Sequence, residues 1–121
     1  MSVFINLPAS RYLFESNNFF IIEDNYPVSP GHCLIISKQL RADYFELTKD
    51  EKSELPVLID KACSLIEQRY KPDGYNIGMN CGLAAGQTIM HFHCHIIPRY
   101  DGDMDKPRGG VRHAVAGKGY Y

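Results

Sequence analysis

The chain has 121 residues, 45% of them hydrophobic, 22% charged and 12% aromatic, apolar material for one core and not for two. Thirteen basic against fourteen acidic side chains leave a formal charge of -1, which argues against nucleic-acid binding by bulk charge, so a bound anion must be held by local groups. No apolar run approaches the roughly 18 residues of a membrane span, and Met1 to Ser10 lacks a charged segment followed by an apolar one, so neither membrane segment nor secretion signal is expected.

Residues 1–121 are therefore expected to form one domain. Cys33, Cys63, Cys81 and Cys94 contain no C-x-x-C pair and read as reduced thiols of a cytoplasmic protein. Phe19 to Ile22 is a short apolar run ended by Glu23-Asp24-Asn25, and it predicts a strand. Tyr26 to Gly31, with two prolines and a glycine, is a turn. His32 to Ser37 predicts a second strand buried on both faces.

Thr48 and Glu51 have the spacing of a capping box, and Leu55, Leu58, Ile59, Ala62, Leu65 and Ile66 repeat at helical spacing after it. Pro56 interrupts that pattern, which predicts a kink or a helix that starts later than the box. Lys71 to Gly74 stops the helix, and Tyr75 to Asn80 predicts a strand. Cys81 to Gln87 is a loop of small residues, Thr88 to Pro98 predicts the last strand, and the tail from Asp101 to Tyr121 reads as irregular. Four strands, short links and one helix give an α+β fold, an antiparallel sheet with the helix on one face.

Within the last strand lies His91-Phe92-His93-Cys94-His95. Alternate residues of a strand share a face, roughly 6.6 Å apart, so the three imidazoles are expected to line up toward a cleft or solvent. Three readings fit: a polar face without chemistry, a metal site, or phosphoryl transfer by a neutral imidazole nitrogen. The loop just before the run favours the third. Gly82 and Gly86 let backbone approach a ligand, and Gln87 and Thr88 offer an amide and a hydroxyl.

His91-Phe92-His93-Cys94-His95-Ile96-Ile97 resembles the signature of the histidine triad (HIT) superfamily, His-φ-His-φ-His-φ-φ with φ apolar. The likeness extends through Ala85-Gly86-Gln87-Thr88, Pro98-Arg99-Tyr100 and the upstream Pro27-x-x-Pro30-Gly31-His32. It covers roughly Phe19 to Arg112 and is nearest to the bacterial-type hydrolases beside the fragile-histidine-triad, dinucleoside polyphosphate hydrolase branch. The resemblance implies a homodimer of HIT fold that attacks the α-phosphate of a nucleotide. His93 would be the nucleophile and form a nucleotidyl-histidine. His95 would bind phosphoryl oxygens, while His91 and His32 would position His93.

Gln87 and Thr88 would contact the α-phosphate and the bridging oxygen, with Asn80 nearby. Asp24 would hold ribose hydroxyls and Ile22 would line the base pocket, although a turn aspartate and a core isoleucine fit these two positions equally. Dinucleoside polyphosphates are the favoured substrates. An adenosine-phosphoramidate hydrolase and a slow nucleotide-binding signalling protein are the rivals. Many bacterial relatives hold a structural zinc with two N-terminal cysteines, a histidine after the second strand and the first triad histidine. Ser2, Ile5 and Leu40 stand at the first three positions, so no zinc is expected and no cofactor is obligatory, with magnesium entering only alongside the nucleotide. Arg99, Lys106, Arg108, Arg112 and Lys118 make the C-terminal stretch basic, either as a solvated tail or to reach distal phosphates. His113 is given no role, and Tyr120 and Tyr121 are expected to anchor the terminus.

Overall fold

The computed structural model describes residues 2–121. Its five strands are β1 (Phe14–Glu15), β2 (Phe19–Glu23), β3 (Cys33–Ser37), β4 (Gly74–Gly78) and β5 (His93–Arg99). They form one antiparallel sheet in the order β1-β2-β3-β5-β4. Helix α1 (Lys49–Glu67) joins β3 to β4, so the expected α+β architecture is present. β1 went unread in the sequence because two residues are too few to show alternation.

Strand alternation sorts the side chains onto two faces. Phe19, Ile21, Cys33, Ile35, Cys94 and Ile96 pack against Leu55, Leu58, Ala62 and Ile66 of α1. There burial pushes the thiols of Cys33 and Cys94 up to about 12, so both behave as inert core groups. On the opposite face Phe20, Ile22, Leu34 and Ile36 pack with Phe4 from the N-terminal segment. The register sets Ile36 beside His93 and Leu34 beside His95, so the histidines continue an apolar face sideways.

Among the boundaries that differ from expectation by a residue or more, three bear on the site. β5 begins at His93, not Thr88, because the preceding residues bond to the segment after β3. Phe92 N–H donates to the Arg41 carbonyl at 2.6 Å and the Gln87 amide donates to the Ala42 carbonyl at 2.6 Å. β4 ends at Gly78, which leaves Asn80 beyond the strand. And α1 starts at its capping box. Thr48 Oγ1 accepts from Glu51 N at 3.1 Å, and the Glu51 carboxylate accepts from Thr48 N at 2.7 Å. The helix does not wait for Pro56, which sits on its exposed side.

The tail is docked. A 3₁₀ turn, Gly110–Ala114, lies against β4, and the Tyr121 ring is flanked by the guanidiniums of Arg108 and Arg112 at 4.5 and 4.9 Å. His113 has a local place too, its ring beside Tyr120 at 4.6 Å. Among the described residues no helix is long and apolar enough to cross a membrane.

Pro56 deprives the Lys52 carbonyl of its helical donor. Pro56→Ala is expected to raise the unfolding free energy by about 2 kcal/mol, alanine's helical advantage of ~3 less the ~1 by which proline restricts the unfolded chain. Urea unfolding checks this, and no gain would contradict an uninterrupted helix.

Candidate active site

The pleat of β5 sends His93 and His95 to one face, but His91 does not join them. It precedes the strand, is only 1% exposed, and its Nε2 lies 2.6 Å from the Ser37 carbonyl. A carbonyl can only accept, so that nitrogen carries the proton. Among the described residues its buried Nδ1 has no partner, and the Phe4 ring packs edge-on at 5.5 Å. Burial is the main cause holding this imidazole below its ordinary 6.5, helped by His93 and opposed by the Ser37 bond. The expected row of three imidazoles facing a cleft is therefore two, with the third beneath them.

The same reasoning fixes the other rings. His93 Nδ1 is 2.8 Å from the His91 carbonyl, so Nδ1 holds the proton and Nε2 keeps a free lone pair. His32 Nδ1 accepts from Val28 N–H at 3.2 Å, which places its proton on Nε2. That nitrogen is 2.9 Å from His95 Nδ1 and donates to it, so His95 carries its proton on Nε2. Two adjacent rings, with centroids 5.4 Å apart, thus offer opposite functions: a lone pair from His93 and an N–H from His95.

Burial chiefly, with His93 and His32 adding to it and Asp24 opposing, brings His95 down to about 4. Burial likewise lowers His32 against the pull of Asp24. Both are neutral near pH 7, so the 3.5 Å approach of Asp24 Oδ2 to His32 Nε2 is a weak second contact of a neutral ring, subordinate to the shorter bond to His95. Asp24 Oδ1 accepts from Tyr26 N–H at 2.8 Å, which leaves Oδ2 as its freer oxygen.

These groups open on a cleft of about 600 Å³. One wall is apolar, from Phe4, Leu7, Ile22 and Leu34. Asp24, Asn80 and Thr88 supply its polar rim. A second hollow of about 460 Å³ shares His32, His95 and Asn80 with the first and is closed on its far side by Val111 and Ala114 of the tail. Among the described residues no lysine or arginine lines either one. The basic residues of the tail are placed elsewhere, and Arg99 is paired to Asp103 at 2.7 Å, which holds that carboxyl down at about 2.

Gln87 is not brought to the cleft. It is 3% exposed, its oxygen accepts from Gly82 N–H at 2.8 Å, and its amide donates to the carbonyls of Ala42 and Ile89 at 2.6 and 3.0 Å. The glycines of this loop serve its turns: Gly82 and Gly86 have φ of +95° and +90°, which side-chain-bearing residues resist. Of the residues not picked out in the sequence, Leu34 was accessible by strand alternation from His32. Phe4 and Leu7 carried no signal, since a short N-terminal segment shows no periodicity.

Asp24, His32 and His95 put three potential ligand atoms within 4.8 Å of one another. His32 and His95, however, spend their facing nitrogens on a hydrogen bond, whereas a shared cation requires two lone pairs. The positions that the resemblance assigns to a structural zinc fit no better: Ser2, Ile5 and Leu40 offer one hydroxyl and two half-exposed aliphatic chains, and the His91 ring packs on Phe4.

The profile of the HIT domain family matches residues 8–102. The chain is 33% identical to the bis(5'-adenosyl)-triphosphatase of Dictyostelium discoideum over 79% of its own length and 64% of that protein's. It is 35% identical to the AP-4-A phosphorylase of Mycobacterium tuberculosis over 66% of its length and 42% of that enzyme's. It thus spans less than two thirds of either. A solved HIT-family structure from Bacillus subtilis superposes with a TM-score of 0.76 at 29% identity, covering 84% of this chain and 75% of the other.

The neutral histidines set an acid limit on stability. Above pH 6.5 His95 is neutral folded or unfolded. Between 6.5 and about 4 only the unfolded chain binds the proton, so stability falls as pH falls through that window. From pH 7 to 5 the His95 contribution is a loss on the order of 2 kcal/mol. Denaturant unfolding of His95→Asn should show a correspondingly shallower slope, and an unchanged slope would contradict the buried neutral ring.

Proposed function

The chain belongs to the HIT domain family, and we propose that it hydrolyses nucleotides at the α-phosphate through a nucleotidyl intermediate on His93. The observation that carries this is the 2.8 Å bond from His93 Nδ1 to the His91 carbonyl, which leaves Nε2 as a lone pair in the cleft. That lone pair attacks phosphorus, and the bond to the leaving group breaks with its electron pair, the leaving group taking a proton from water. The ring becomes a phosphorylated imidazolium whose Nδ1–H still points at a carbonyl, a contact that strengthens as charge develops. Water then attacks phosphorus and gives up a proton to solvent, which replaces the one the leaving group took. The P–N bond returns its electrons to Nε2, and a nucleoside monophosphate leaves.

His95 Nε2–H donates to a phosphoryl oxygen in both steps, and His32 holds His95 in that tautomer. Thr88 and Asn80 reach the phosphate from the rim. Asp24 Oδ2 accepts from ribose hydroxyls, and the base lies on Ile22, Leu34 and Phe4. Gln87 acts through the loop it holds. His91 supplies its carbonyl to His93, its ring anchoring the turn on Ser37.

Dinucleoside polyphosphates as substrates are supported by the names of the two related enzymes. A phosphoramidate, whose leaving amine carries no phosphate, is favoured by the lack, among the described residues, of lysine and arginine in the lining of both hollows. A polyphosphate would bring its own magnesium as part of the substrate. A homodimer belongs to this reading, with the outer edge of β4 without a strand partner among the described residues; sedimentation at a monomer's mass would remove it.

His93→Ala is expected to lower kcat by at least about a thousandfold while nucleoside monophosphate still binds. Unchanged turnover would show the nucleophile to be another group, and a retained biological effect without turnover would favour a binding protein. A kcat/KM panel of dinucleoside polyphosphates against adenosine phosphoramidates decides the leaving group.

A further inference from the structure

The nucleophile's tautomer depends on one peptide group, the one joining His91 to Phe92. Its C=O accepts from His93 Nδ1 at 2.8 Å, and its N–H donates to the Arg41 carbonyl at 2.6 Å. A trans peptide is planar and points these two groups in opposite directions, so the plane is pinned at both ends. Freed at the Arg41 end, it swings about its neighbouring dihedrals and carries the carbonyl off Nδ1. His93 then loses the contact that distinguishes its two nitrogens.

The Arg41 carbonyl belongs to an irregular segment between β3 and α1, which has no ladder to hold it. Its own peptide group is held on the far side by Glu46, whose Oε1 accepts from Ala42 N–H at 2.8 Å, and the tie from this segment to α1 is the Arg41 side chain. Arg41 Nε donates to both carboxylate oxygens of Glu51, at 3.0 and 3.3 Å. Glu51 is 2% exposed and lies in the first turn of α1, where it also closes the capping box. Burial raises its carboxyl, but the bonds from Thr48 and Arg41 outweigh burial and hold it below the ordinary carboxylate range. A buried carboxylate needs a counter-charge, and here the guanidinium that supplies it comes from the segment after β3. The next carbonyl, Ala42, takes the Gln87 amide at 2.6 Å, so the same segment grips the chain at both ends of residues 87–92.

We propose that Arg41 and Glu51 are positioning residues for His93: the ion pair ties the segment after β3 to the start of α1, and the Arg41 carbonyl thereby sets the peptide plane that selects the nucleophile's tautomer. The inference rests on His93 being the nucleophile only for its kinetic consequence, because the tautomer is read without turnover.

The test uses the full chain. In Arg41→Met/Glu51→Gln the buried charge is neutralised together with its partner, so no unpaired carboxylate remains, and the tether is gone. The ¹⁵N shifts of His93 are expected to move from a single Nδ1–H form in the natural protein to a mixture of tautomers. With them kcat should fall about ten- to a hundredfold, the range for removing an outer partner of a functional histidine, while KM stays unchanged. Arg41→Lys, which keeps a cation on Glu51, should recover most of the loss. Arg69→Ala, which breaks the exposed pair with Glu23, is the control and should change neither reading.

A double variant that keeps the Nδ1–H form overturns the proposal, whether or not kcat falls, since a loss without a tautomer change is only a structural defect. A tautomer that moves with no loss of kcat leaves the proposal standing and removes His93 as nucleophile instead. Should the double variant not fold, Glu51→Asp, which keeps the charge and shortens the reach, carries the same test. There too a tautomer that matches the natural protein's overturns the proposal, whatever kcat does.

Discussion

A backbone carbonyl accepts hydrogen bonds and cannot donate them, and on this rule the chemistry of the whole site depends. The His91 carbonyl faces His93 Nδ1, so the proton must sit there and the lone pair must sit on Nε2. The Ser37 carbonyl does the same for His91, and the Val28 N–H does the converse for His32, which passes its choice on to His95. Four imidazoles that would be interchangeable in water become one that offers a lone pair, one that offers an N–H and two supports. Side-chain charge has little part in it, because burial keeps His32, His91 and His95 neutral.

The fold exists around this rule in a definite way. One face of the sheet is covered by α1, so the other is free to carry polar groups beside apolar ones. The N-terminal segment covers one end of that free face with Phe4 and Leu7, and the 3₁₀ turn of the tail flanks the other end with Val111 and Ala114. Between them His93 and His95 stand at the floor of the cleft. β5 starts at His93 because the residues before it give their hydrogen bonds to the segment after β3, and that departure from the ladder turns the His91 carbonyl toward the His93 ring.

Strand period and cap chemistry were legible in the sequence. β2, β3, the capping box at Thr48 and Glu51, and the alternation of His93 with His95 follow from local patterns of two and three residues. The position of His91 was not legible, since alternation continues through a chain of letters while the strand itself stops. Gln87 misled for a related reason. A free amide beside glycines looks like a phosphate ligand, and only the fold shows that Ala42, Ile89 and Gly82 consume it. The tie between Arg41 and Glu51 joins two segments ten residues apart with no shared periodicity, so no pattern announces it. Pro56 predicts a kink or a late start, yet the helix begins at its capping box, since one missing N–H on an exposed helix side does not outweigh the buried contacts of Leu55, Leu58, Ala62 and Ile66.

The proposed reaction places the nucleotide on His93 Nε2. Mass spectrometry of the intact protein, followed by peptide mapping under mildly alkaline conditions after a brief substrate pulse, examines that atom directly. The expected result is a nucleoside-monophosphate adduct on His93 that disappears with further incubation. An adduct on His91 or His95, or burst-free turnover with no adduct on any residue, would contradict it.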